Sequence, residues 1–229
     1  QKLIPSDGAD NDEFGYSVSL YEDYALIGSR YCDGNENNSG AAYIFKRNGS
    51  TWSQQQKLTS SDGANGDLFG SEVSLYGDYA LIGSRMDDDI ANSSGTAYIF
   101  KRTGSKWNQQ QKLLASDGAW GDYFGWAVSL FKDYALVGAA LADNPGDSGS
   151  AYIFKRNGST WTEQQKLTAS DGASSDLFGY HVSLYKDYAL IGAYGDDDNG
   201  AGSGSAYIFK KNGNTWTQHQ KLTASEAAG

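Results

Sequence analysis

"FGYSVSLYEDYALIGS", residues 14–29, is the stretch that decides the fold. Its first half alternates apolar and small residues with a period of two, the pattern of a strand with one buried face. A two-residue link, Glu22-Asp23, leads into Tyr24–Ser29, which is rich in β-formers. Two strands joined by a tight turn are therefore predicted. The Phe-Gly pair that opens the stretch returns at 69–70, 124–125 and 178–179, each time with the same continuation.

Working outward, every neighbouring segment repeats as well. Gln-Lys-Leu occurs at 1–3, 56–58, 111–113, 165–167 and 220–222, and Ala-Tyr-Ile-Phe-Lys at 42–46, 97–101, 151–155 and 206–210. Trp52, Trp107, Trp161 and Trp216 keep the same beat, so the period is 54 or 55 residues. After the opening pair of strands comes a polar loop, then "AAYIFKR", then Asn48-Gly49, read as a type I′ hairpin turn with both residues at positive φ. The unit closes on "TWSQQQKL". No helical periodicity is present.

Four antiparallel strands in a unit of this length match a propeller blade. One such sheet is too small to bury both faces, so blades must stack on one another. The fold class expected is all-β, a β-propeller of four blades, each a four-stranded antiparallel sheet. The alternative is a set of blades combining between chains into a larger ring or stack. Residues 1–229 are read as one propeller domain, with blades at 4–58, 59–113, 114–167 and 168–222 and a remnant at 223–229. Gln1-Lys2-Leu3 copies the end of a closing strand although the C-terminus already supplies one, so it is an extra edge segment expected to favour end-to-end association.

Composition narrows the function classes. The 229 residues are 39% apolar and 14% aromatic, which is globular. A net charge of −10 disfavours nucleic acid and anionic membranes, which require a basic footprint. No apolar run has the length of a membrane span, and the chain is read as a mature secreted form beginning at Gln1. Cys32 is alone, which excludes an internal disulfide and a multi-cysteine metal site. Prolines occur only at Pro5 and Pro145, and Asn37, Asn48, Asn92 and Asn157 stand in glycosylation triplets.

At these residues the chain resembles a known family. Phe-Gly followed by Val-Ser-Leu and Asp-Tyr-Ala-Leu-Ile-Gly, then Gly-Ser-Ala-Tyr-Ile-Phe and the Trp strand ending in Gln-Lys-Leu, is similar to the FG-GAP repeats of integrin α-subunit propellers. Its bacterial-type and lectin-type variants look nearest. The resemblance implies a propeller and, more loosely, roles in adhesion, glycan binding or scaffolding. Integrin units carry an Asp-x-Asp-x-Asp-Gly calcium loop, whereas here one aspartate per blade remains at that place, Asp23, Asp78, Asp133 and Asp187. One carboxylate does not supply the six to eight oxygens that calcium prefers. The integrin-type calcium site is not carried over, and no cofactor is required.

Two acidic regions recur. "SDGADNDEFG" at 6–15 and its copies hold a first aspartate at Asp7, Asp62, Asp117 and Asp171, and a second at Asp12, Asp67, Asp122 and Asp176. The first is expected to make an Asx-turn with its own loop, the second to accept backbone N–H groups. In the loop after the second strand, Asp87 and Asp89, and Asp196 and Asp198, are the weak candidates for a hard cation.

Positions that differ between blades are better ligand candidates. Tyr16, Trp126 and Tyr180 follow the Phe-Gly pair, Arg30, Arg85 and Tyr194 end the second strand, and Trp120 stands in one acidic loop only. Rings beside Arg, Asn and Asp suit sugar stacking or a protein hot spot. These seven are the candidate ligand-binding residues. Catalytic residues are not assigned: "GDSGS" at 146–150 has the copies "NNSGA", "NSSGT" and "AGSGS", so it reads as a loop closure. The basic pairs at 46–47, 101–102, 155–156 and 210–211 and the Gln-Lys-Leu lysines are expected at the blade edges, away from the acidic loops. The function expected is a non-catalytic, extracellular binding or adhesion module for glycans or glycoproteins. A self-assembling structural protein is the alternative and a carbohydrate-active enzyme a distant one.

Overall fold

The computed structural model describes residues 1–142 and 146–225; Pro145 and most of the C-terminal remnant lie outside them. Sixteen strands form four antiparallel sheets, each built from four strands consecutive in sequence. Blade 1 comprises β1 (Val18–Tyr21), β2 (Tyr24–Ser29), β3 (Ala41–Asn48) and β4 (Thr51–Leu58). Blade 2 runs β5 (Phe69–Tyr76), β6 (Tyr79–Ser84), β7 (Thr96–Thr103) and β8 (Lys106–Leu113). Blade 3 runs β9 (Phe124–Phe131), β10 (Tyr134–Ala139), β11 (Ser150–Asn157) and β12 (Thr160–Leu167). Blade 4 runs β13 (Phe178–Tyr185), β14 (Tyr188–Ala193), β15 (Ser205–Asn212) and β16 (Thr215–Thr223). The described residues contain no helix, so the all-β, four-bladed reading holds.

Two local expectations are corrected. Asn48 pairs with Thr51, so the turn centres on Gly49-Ser50, one residue later than read. Only Gly49, with φ 62°, is left-handed, which is the sign pattern of a type II′ turn rather than I′. The second difference is that β1 spans four residues where β5, β9 and β13 span eight. Phe69, Phe124 and Phe178 each form a parallel bridge to a glycine of the preceding blade, Gly40, Gly95 and Gly149. Among the described residues no glycine pairs with Phe14 in this way, and Phe14-Gly15 does not extend the first strand of blade 1.

Those bridges explain the repeat's central glycines. A Cβ on Gly28 would meet Gly70 O at 2.1 Å, and one on Gly40 would meet Phe69 O at 2.0 Å. Adjacent blades touch backbone to backbone here, and a side chain would hold them apart.

Hydrophobic clusters span consecutive blades: 1 with 2, 2 with 3, and 3 with 4. Among the described residues none joins blade 4 to blade 1. The fourth cluster belongs to blade 1 and takes in Leu3 of the N-terminal segment. The propeller is therefore open, with an uncovered sheet face at each end. Val18 and Leu20 are 68% and 67% exposed, whereas their equivalents Val73 and Leu75 are buried.

Candidate functional site

The first aspartate of each connector behaves differently from the local expectation. Asp7, Asp62, Asp117 and Asp171 accept hydrogen bonds from the phenols of Tyr43, Tyr98, Tyr152 and Tyr207, at 3.1, 2.9, 2.9 and 3.0 Å. Their second oxygens meet Lys57, Lys112, Lys166 and Lys221 at 2.7, 2.8, 2.6 and 2.9 Å. Each connector is latched to the third and fourth strands of its own blade, not closed on itself. The partners lie tens of residues away, so only the folded sheet brings them together. The second aspartate does as expected: Asp12, Asp67, Asp122 and Asp176 accept N–H from Ala9, Ala64, Ala119 and Ala173.

The latch moves the titration of its members. Lys57 holds Asp7 below the usual carboxylate range against the penalty of burial. At Asp62, Asp117 and Asp171 burial pushes upward, but the lysine and tyrosine partners outweigh it and the carboxyls end lowered. The four phenols are pushed well up, first by burial and then by their neighbours, which include these carboxylates.

Lysines also occupy the centres of the acidic loops. Asp87 accepts from the Tyr98 phenol at 2.7 Å, and both Asp87 and Asp89 pair with Lys112. Asp196 accepts from Tyr207 at 2.8 Å and lies 2.7 Å from Lys221, which also pairs with Asp198. An ammonium group stands among the very oxygens considered for a cation. Among the described residues no group of three or more His, Cys, Asp or Glu side chains is placed to hold a metal ion. The expected charge segregation is corrected by the same pairs. The Gln-Lys-Leu lysines of the blades face the acidic loops, and Arg47, Arg102, Arg156 and Lys211 pair with Asp23, Asp78, Asp133 and Asp187.

The variable positions converge. The Arg85 guanidinium lies over the Trp126 ring at 4.5 Å, Trp126 meets Tyr180 at 5.2 Å, and Tyr180 stacks on Tyr194 at 5.1 Å. A cation and three rings, from blades 2, 3 and 4, thus form one continuous ribbon. Tyr194 at its end is 67% exposed. Blade 1 carries a smaller version: Arg30 lies 3.7 Å over Tyr16 and donates to Glu13 at 2.7 Å. Trp120 is 74% exposed and joins none of these ring contacts.

Glu72 and His181 escaped the sequence reading. Glu72 accepts from Ser17 Oγ at 2.9 Å across the blade 1–2 boundary, and burial raises its pKa above the usual glutamate range while Arg85 opposes. His181 packs edge-on against Tyr180 at 5.1 Å. Both stand two places after the Phe-Gly pair, where blades 1 and 3 carry Ser17 and Ala127. Variation at that column was the available signal.

A comparison with known families matches the FG-GAP repeat four times, over residues 1–45, 52–100, 107–154 and 161–209. The chain belongs to the FG-GAP repeat family. In this FG-GAP chain the last three matched units begin within the closing strands β4, β8 and β12 and run into the next three strands, so the family repeat is offset from the structural blade. That offset places Gln1-Lys2-Leu3 inside the first unit. No curated protein matches the chain. FG-GAP repeats build propeller modules often used in binding and typical of extracellular or cell-surface proteins. No helix of the described residues is long and apolar enough to cross a membrane.

Proposed function

We propose that this FG-GAP propeller is a non-catalytic binding and adhesion module acting outside the cell, and that its ligand is a glycan or glycoprotein. The ribbon Arg85–Trp126–Tyr180–Tyr194 carries the reading. Aromatic faces bury the apolar C–H surface of a pyranose, while neighbouring Arg and Glu groups meet its hydroxyls. Here the rings are held by stacking on one another and by the rigid sheet ends that bear them, which lowers the ordering cost on binding. Tyr16 with Arg30 supplies a second, smaller platform. No cofactor enters the reading, since each candidate carboxylate cluster already has its lysine.

Glycan-array binding followed by titration of the strongest hit tests the proposal. Trp126→Ala and Tyr180→Ala should each weaken binding by about tenfold or more, in line with an aromatic hot spot of roughly 2 kcal/mol, while chelator leaves both binding and melting unchanged. Retained binding by both folded variants would refute the ribbon as the site.

A further inference from the structure

The three blade-to-blade boundaries of this chain are copies of one interface, and its two ends are the separated halves of that same interface. Trp107 N–H donates to Gln56 Oε1 at 2.8 Å, and Gln56 Nε2 returns a bond to Trp107 O at 2.7 Å. The pair recurs as Gln111 with Trp161 and Gln165 with Trp216. Ser19, Ser74 and Ser129 each accept from the Leu N–H one blade on: Leu75, Leu130 and Leu184. Tyr24, Tyr79 and Tyr134 meet Trp107, Trp161 and Trp216 edge-on at 5.7–5.9 Å. Continued by one step, each series runs from blade 4 to blade 1: Gln220 to Trp52, Ser183 to Leu20 N–H, and Tyr188 to Trp52.

The surfaces at the ends have the matching shapes. Blade 4 presents Tyr188, Leu190 and Leu222, 46%, 43% and 38% exposed, where the equivalent leucines Leu136 and Leu167 are buried. A recess of about 250 Å³ is lined by Ser183, Tyr188, Leu190, Ile208 and Leu222. Next to it, a cavity of about 410 Å³, whose wall also carries the ribbon residues Tyr180 and Tyr194, is lined by Gly192, Ala193, Gly204 and Ser205. Those four residues correspond to Gly28, Ser29, Gly40 and Ala41, against which the Phe69-Gly70 backbone is inserted. A Cβ on Gly192 meets nothing closer than 3.7 Å, so the slot is open. Blade 1 presents Phe14-Gly15 with Val18 and Leu20, the pieces that fill such a slot at every internal boundary.

The geometry points to a second copy of this chain as the occupant: blade 1 of one copy docks on blade 4 of another, head to tail. One detail sets how it forms. Gln1 Nε2 donates to Trp52 O at 2.8 Å and Trp52 N–H donates to Gln1 Oε1 at 2.8 Å, and Leu3 joins the blade 1 cluster. Gln1-Lys2-Leu3 therefore occupies the place that Gln220-Lys221-Leu222 of a neighbour would take. Docking exchanges one Gln-Lys-Leu for an identical one, so the N-terminal segment, expected from the sequence to favour association, instead acts as a plug that competes with it because it already occupies its own blade 1. Such a contact is heterologous, so it yields either a closed ring or a filament. Two copies supply eight blades from four each, at the upper end of the usual propeller range.

Mass in solution across a wide concentration range, with three variants, decides the matter. Leu20→Asp and Leu190→Lys alter exposed side chains on opposite ends. Each alone should be monomeric, and an equimolar mixture should form a one-to-one dimer, because each variant retains one intact end. Deleting residues 1–3 should tighten self-association of the parent chain by about tenfold, the worth of the two glutamine bonds no longer exchanged. Dimers of either single variant would overturn head-to-tail polarity in favour of a symmetric contact. A monomer for both the parent and the deletion variant would overturn self-docking and leave the face to a partner of different composition. Tyr180 and Tyr194 of the ribbon also line the docking cavity, so glycan binding is measured on the monomeric Leu20→Asp variant, whose cavity stays free, and the ribbon variants test it separately.

Discussion

The inner blade boundaries and the open face of blade 4 are built from nearly the same residues in opposite surroundings. Leu81 and Leu136 are wholly buried, while Leu190, at the same place in the same Asp-Tyr-Ala-Leu segment, is 43% exposed. Gly83 lies against Gly125 O, yet Gly192 faces open space. In a repeat protein, burial belongs to the pair of neighbours and not to the residue. A stability map of this chain should therefore fall from the inner boundaries toward the ends even though the sequence barely changes.

The largest effect that tests this contrast is truncation of the paired leucines. Leu136→Ala should cost about 2–5 kcal/mol through lost burial and a residual cavity. Leu190→Ala should cost under about 1 kcal/mol in the monomer, since much of that side chain is already in water. Urea unfolding of the two variants measures the difference, and equal losses would break the comparison by showing the blade 4 face to be covered.

An intermediate effect is expected at the latches. The Tyr98 hydroxyl lies between Asp62 and Asp87 and shares its one proton between them, so Tyr98→Phe leaves both carboxylates without it and should cost about 1–3 kcal/mol. Tyr43 bonds one carboxylate and the Cys32 thiol, so Tyr43→Phe should cost less. The pH dependence follows from the same contacts. Asp7, Asp62, Asp117 and Asp171 have folded pKa values below their unfolded ones. Their stabilisation is thus present above the unfolded carboxyl range, near pH 3.8, and is lost as pH falls through the lowered folded values. Asp67, Asp176 and Glu72 are raised chiefly by burial and work in the opposite sense, becoming less costly as pH falls. Thermal melts from neutral to acidic pH should show a loss beginning below about pH 4, and Lys112→Met should flatten it. An unchanged acid limb in that variant would detach the latch from stability.

The smallest effect lies in the turn between the first two strands of a blade. Lys132 and Lys186 hold φ values of 55° and 54°, where blade 2 uses Gly77 at 60°. Lys132→Gly and Lys186→Gly should each raise stability by no more than about 1 kcal/mol, relief of left-handed strain offset by added unfolded-state freedom. The strain is local, so the gains should be equal in blades 3 and 4. A gain in only one of them would show that the neighbouring blade sets the turn.

Much of the architecture was legible because a strand's alternation and a hairpin's glycine are written within a few residues. Four strands per unit and the loss of the integrin calcium loop needed nothing more. The turn type was misread by one residue because Asn48-Gly49 and Gly49-Ser50 offer the same dipeptide signal, and only the Asn48–Thr51 pairing selects between them. The candidate site was half legible. Arg85, Trp126, Tyr180 and Tyr194 stood out as departures from the repeat, but their union into one ribbon depends on how blades sit side by side. Glu72 and His181 differ from their copies just as visibly, yet their weight comes from burial and ring contact.

The sequence by itself determined the blade: its strands, its turns and the fact that it must stack, because a sheet with two apolar faces has no stable existence alone. Only the tertiary structure decided where each Asp–Lys–Tyr latch closes, which variable residues meet, and that blade 4 does not return to blade 1. These depend on distances between segments tens of residues apart, and the curvature accumulated over four nearly identical interfaces is not written in any one of them.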